Sequence, residues 1–176
     1  ANQDINFSIW ADYIERDFLL NDFQGMIDAG TVTGATSNPA IFKNAFLNSN
    51  AYESQKKELA ELKGKALYEA LAITDIQMAA DMLRPLYDAG NDGLVSLEID
   101  PFFAEDIGES IQEGMSLFER IDRPNVMIKV PATSAGYEVM KTLMSKGIHV
   151  NATLIFSLDQ AQKVIQAIRA AHAPKG

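Results

Sequence analysis

No cysteine occurs in these 176 residues, and that removes disulfides, thiolate nucleophiles and thiolate metal sites together. Histidine is nearly as scarce, because His149 and His172 are too few and too far apart for a histidine metal cluster or a catalytic triad. Basic residues are in deficit, 15 against 24 acidic, for a formal charge of -9. Nucleic acid and anionic membranes are therefore not expected partners. A small anionic substrate stays admissible if a local cationic clamp holds it against the overall field. There is no run of eighteen apolar residues and no charged, apolar, small-residue leader, so neither a membrane span nor secretion is expected. Carboxylates remain as the acid and base groups.

What is present is a regular alternation of two hydrophobic periods. Period-two segments occur at residues 5–12 (INFSIWAD), from Thr31 (TVTGATS), at 94–100 (LVSLEID), at 126–131 (VMIKVP) and from Ile148 (IHVNATLIF). Helical spacing follows each of them. It runs over 14–28 with Gly30 as a stop, and over 40–63 with a break near 48–50. A capping box at Thr74 to Gln77 opens a long helix that Pro85 kinks or restarts and Gly90 ends. Helices are expected again over about 104–120 and 134–146. A second capping box, Ser157 to Gln160, starts a last helix to about Ala171.

Strands alternating with helices predict βαβ units and a parallel sheet with right-handed crossovers. A doubly wound sheet is buried on both faces and reads as continuous apolar runs. Here each strand has one apolar face and one face of small or polar residues, which suits the inside of a barrel lined towards one mouth. No linker, charge block or low-complexity tract divides residues 1–176, and one domain is expected.

The strand at 126–131 carries a lysine where an apolar strand should have none. Val126, Ile128 and Val130 share a face, which leaves Met127, Lys129 and Pro131 on the other. A lone strand-end lysine is more often a side chain covering apolar surface than a catalyst. If Lys129 is buried its charged form is disfavoured, and a neutral amine becomes able to attack a carbonyl. Polar residues stand at matching places on the other strands: Asp12, Asn38, Glu98, and Asn151 with Thr153. Singly, Asp12 or Glu98 reads as a solvated strand end or a helix cap, and Asn38-Pro39 as a plain turn. Their recurrence near five successive strand ends points to an active site.

GATSNPAIF at 34–42, SLEIDP at 96–101, RPNVMIKVPATSAG at 123–136 and NATLIFS at 151–157 closely resemble transaldolase, in order and spacing, over essentially the whole chain. The resemblance implies a TIM (β/α)8 barrel with class I, Schiff-base aldol chemistry. It implies transfer of a dihydroxyacetone unit from a ketose phosphate (sedoheptulose 7-phosphate, fructose 6-phosphate) to an aldose phosphate (glyceraldehyde 3-phosphate, erythrose 4-phosphate). Lys129 matches the Schiff-base lysine, and Asp12 the carboxylate that moves the proton of the hydroxyl beside the scissile bond. Glu98 matches the acid/base acting through a water, and Thr153 the residue holding that water. Asn38 and Asn151, with Thr36 close by, match positions that bond substrate hydroxyls and the lysine. No metal or cofactor is implied, because the iminium itself is the electron sink. A homodimer in the cytoplasm, working in the pentose phosphate pathway on sugar phosphates, is implied as well.

A (β/α)8 barrel has eight strands and typically about 250 residues. Only about five βα units are legible here, so the chain is expected to be the first part of a longer barrel. The serine and arginines that hold the substrate phosphate are expected after residue 176. Lys43, Arg120 and Arg123 are the nearest cations in kind, and each reads as solvated. Two alternatives stay open: a fructose 6-phosphate aldolase, and a non-catalytic half-barrel.

Overall fold

The computed structural model describes residues 7–100, 103 and 105–172. The first residues of the expected strand at 5–12, the expected helix start at Ala104 and the chain end from 173 lie outside that set. Five strands form one sheet in the order β1 (Trp10–Ala11), β2 (Gly34–Thr36), β3 (Val95–Glu98), β4 (Val126–Pro131) and β5 (His149–Thr153). Each strand lies beside its neighbour in sequence. With right-handed crossovers, an order that never reverses puts every connecting helix on the same face of the sheet. That is the winding of a (β/α) barrel; a doubly wound sheet reverses direction at a switch point. No helix among the described residues is long and apolar enough to cross a membrane.

The chain divides into two compact units, Ala1–Ser96 with Ile121–Val126, and Leu97–Arg120 with Met127–Gly176. In the first, Trp10 pairs with Gly34 and Ala11 with Ala35, while Ala35 and Thr36 pair with Val95 and Ser96. Gly34 is required there, since any Cβ would overlap the Trp10 indole. The indole Nε1 donates to Asp92 at 2.7 Å, and Thr33 donates to the same carboxylate oxygen at 3.0 Å. Asn125, wholly buried, donates to the carbonyls of Ala80 and Gly93 at 2.8 Å each, tying the entry of β4 to the helix and loop before β3.

The helix after β1 is continuous but not uniform: α1 (Arg16–Phe18) runs through a π segment at Leu19–Phe23 into α2 (Gln24–Asp28). Gly30 ends it at φ +65. After β2 come α3 (Pro39–Asn48), a 3₁₀ turn at Asn50–Tyr52 and α4 (Glu53–Glu58), so the break expected near 48–50 is where the spacing put it. Phe42, Phe46, Tyr52 and Tyr68 pack edge to face and stacked beneath this layer.

Three expectations need correction. The first strand is two residues long: Thr33 N donates to Ile9 O at 2.8 Å, but Thr31 N and Val32 N are engaged by Met26 O and β2 begins only at Gly34. The long helix α5 spans Gly64–Asp88, so Thr74 sits inside it and does not cap it. Ala66, Leu67, Glu69 and Ala70 are strong helix formers that carry the helix upstream, and the Thr74 hydroxyl donates back to Ala70 O at 3.0 Å. Nor does Pro85 restart it: α5 runs through Pro85 to its end three residues on, and Gly90 follows at φ +71.

In the second unit β4 and β5 pair in parallel over five residues, from Met127–His149 to Pro131–Thr153. Around them stand α6 (Ile107–Ile121), α7 (Ser134–Ser145) and α8 (Leu158–Ala171). Ile128, Val130, Val139, Met140 and Leu143 are all at most 1 % exposed and form this unit's core. Gly114 of α6 allows close approach, since a Cβ there would press on Leu143 and Ile128. The Ser157 box is real: its side chain accepts from Gln160 N at 3.1 Å.

Candidate active site

Period two decides what Lys129 can reach. Val126, Ile128 and Val130 are fully buried, so the intervening Met127, Lys129 and Pro131 face the other way. On that face Lys129 Nζ lies 3.6 Å from Glu98 Oε2, with the two side chains 14 % and 17 % exposed. The separation is that of an ion pair beyond good hydrogen-bond range. Backbone pairing holds both residues level, because Ile99 N donates to Lys129 O at 3.3 Å. On the next strand Asn151 registers against Lys129 and Thr153 against Pro131. Paired residues of neighbouring strands lie about 5 Å apart with side chains on the same face. The second unit therefore brings together Glu98, Lys129 and Asn151 across three strands, with Thr153 one step nearer the strand ends.

The exit from β4 is built to one shape. Thr133 caps α7 by accepting from Gly136 N at 3.0 Å, and Thr133 N donates to Pro131 O at 2.9 Å. Gly136 has no alternative there, since a Cβ would overlap the Pro131 carbonyl. These bonds are the physical content of the PATSAG stretch.

The other expected residues belong to the first unit. Thr36, the last residue of β2, accepts from Ser96 Oγ at 2.7 Å. Asn38 is the cap of α3, its Oδ1 accepting from Ala40 N at 2.9 Å with Pro39 in the first turn. The cap uses only the oxygen of the amide. Asp12 follows β1 directly and is exposed.

A second charged group in this unit was not expected. Arg16 Nε meets Asp75 Oδ1 at 2.8 Å and Tyr52 OH donates to Asp75 Oδ2 at 2.6 Å, with the Asp75 side chain 0 % exposed. Arg16 N donates to Tyr52 OH, Arg16 Nη2 donates to Gln55 Oε1, and the guanidinium carbon sits 4.6 Å from the Tyr52 ring centroid. Burial pushes the Asp75 carboxyl up, against the partial pull of Tyr52 and Arg16. Burial, then the Asp75 carboxylate, raise the Tyr52 hydroxyl. The sequence did carry a signal: Asp75 occupies a helical core position among Leu71, Ala72, Ile76 and Ala79. Arg123, expected to be solvated, is held bidentately by Asp81 at 2.5 and 3.0 Å, which raises its pKa.

Sheet order defines a barrel-type α/β protein, in which a strand-borne lysine faces a carboxylate. Residues 9–174 match the model of the Transaldolase/Fructose-6-phosphate aldolase family, and the chain belongs to that family. It is 53 % identical over 165 residues to a transaldolase of Campylobacter jejuni, which covers 94 % of this chain and 50 % of the relative. A transaldolase of Helicobacter pylori is 48 % identical over 163 residues, covering 92 % and 52 %. The chain thus spans about half the length of the curated relatives it matches. Its five βα units are part of the family's (β/α)8 barrel.

Proposed function

We propose that the complete polypeptide carrying this chain is a transaldolase in which Lys129 forms the Schiff base. The observation that carries this is the Lys129 amine 3.6 Å from Glu98 Oε2, beside Asn151, on the polar face of the sheet. The free amine of Lys129 adds to the ketose carbonyl, and the carbinolamine loses water to give an iminium. Glu98, acting through a water held by Thr153, moves the protons of that step. Asp12 accepts the proton of the hydroxyl beside the scissile bond as the carbon-carbon pair of electrons flows into the iminium, leaving an enamine. The donor's aldehyde leaves, an aldose phosphate takes its place, and the steps reverse. Asn38, Asn151 and Thr36 bond substrate hydroxyls and the amine. The same reading includes sugar phosphates as partners, a homodimer, the cytoplasm and the pentose phosphate pathway.

Fructose 6-phosphate with borohydride should leave a three-carbon adduct on Lys129. An unmodified Lys129 in an otherwise folded protein overturns the reading. Because the family's name joins two activities, added erythrose 4-phosphate separates them: transfer consumes it, whereas an aldolase releases dihydroxyacetone whether or not it is present.

A further inference from the structure

Gln160 does more than its place in a capping box requires. A box needs an acceptor at this position, which glutamate supplies as well as glutamine. Here Gln160 Oε1 accepts from Phe156 N at 2.8 Å and from Ser157 Oγ at 3.4 Å. The same amide's Nε2 donates to Ala132 O at 3.0 Å and to Leu154 O at 3.2 Å. Two lone pairs and two protons are all in use, and the partners force the assignment, since an N–H needs the oxygen and two carbonyls need the nitrogen. Only glutamine can do both.

The two carbonyls belong to the exits of adjacent strands. Ala132 follows β4 three residues after Lys129, and its oxygen also accepts from Tyr137 OH at 3.2 Å. Leu154 follows Thr153 directly and turns the chain at φ +59, uncommon for a residue with a Cβ. Beyond it Ile155 and Phe156 are exposed, Phe156 by 84 %, so little apolar packing holds this loop. Ala132 N donates to Thr153 O at 2.8 Å, so the same short span closes the ladder.

We propose that Gln160 is a positioning residue that straps the end of β4 to the end of β5 and so fixes Thr153 relative to Lys129. This rests on the transaldolase reading. Gln160→Glu keeps the acceptor and loses the donors, placing a carboxylate against two carbonyls; Gln160→Met removes both with no added charge. In the complete polypeptide, both should lose about tenfold in kcat with KM changed less than about twofold, as for a misplaced group that acts in the transition state. Ser157→Ala takes away the helix cap and spares the strap, and it should lower the melting temperature with kcat unchanged. Wild-type kcat in both Gln160 variants overturns the strap, as does an equal kcat loss in Ser157→Ala. Gln160→Met decides if Gln160→Glu does not fold. Borohydride trapping on the unaltered protein separates the two failures: no adduct on Lys129 defeats the transaldolase reading, whereas an adduct with indifferent Gln160 variants defeats the strap alone.

Discussion

Two cation-carboxylate pairs in this chain have opposite designs. Arg16 and Asp75 are joined at 2.8 Å, the carboxylate is wholly buried, and Tyr52 holds its second oxygen. Lys129 and Glu98 stand 3.6 Å apart, and both side chains keep some contact with solvent. The first is closed, with its planar fork and hydroxyl locked in place, so a substrate could enter only by displacing a partner and leaving a charge stranded. The second is held level by its strands, and its charged atoms stand farther apart than a hydrogen bond. Placement matters more than charge: the closed pair joins helices, while the slack pair lies on the polar face of a parallel sheet.

The comparison breaks most sharply at Lys129. Replacing it by Met should abolish borohydride trapping and lower transfer on the order of 10³-fold or more. Unfolding stability should change by less than in Asp75→Ala, because the pair is looser and neither side chain is wholly buried. A large stability loss would show that the pair is structural after all. Asp75→Ala should do the reverse. It leaves the Arg16 guanidinium buried without its carboxylate and should cost about 3–5 kcal/mol by urea unfolding, while adduct formation on Lys129 persists in whatever fraction stays folded. Stability within about 1 kcal/mol of the unaltered protein would mean that the buried cluster is less closed than its distances imply.

The alternation of periods and the polar strand face were legible in the sequence because they depend on side-chain parity, which survives any error in strand length. Lys129, Glu98, Asn151 and Thr153 could be aligned on that basis, and register places the first three level or nearly so. Strand length was not legible: residues 7 and 8 continue the alternation of 9–12, but alternation cannot say how far a partner strand runs alongside. Helix starts failed for a related reason. Thr74 and Gln77 have the spacing of a cap, yet spacing cannot show that the Thr74 hydroxyl is already donating to Ala70 O. The strap made by Gln160 was half visible, since its capping role follows from local order and its bond to Ala132 O, 28 residues away, does not.

The smallest expected effect tests how closed the buried cluster is. Burial raises the Asp75 carboxyl above its ordinary 3.8, so the folded chain holds that proton more tightly than the unfolded one. Its contribution is then complete below the unfolded value and declines as pH rises through the folded one. Tyr52 opposes the rise by donating to Asp75. Tyr52→Phe removes that donor and moves the carboxyl higher still, so the variant should lose stability faster as pH rises. The gap between variant and unaltered protein should widen from pH 4 to pH 7, by about 1–2 kcal/mol, the difference between losing a hydrogen bond to a neutral group and losing one to a charged group. Urea midpoints at the two pH values measure it. A gap that stays constant or narrows would mean that the hydroxyl does not serve the ionised carboxylate, and the cluster would then be no more closed than the pair at Lys129.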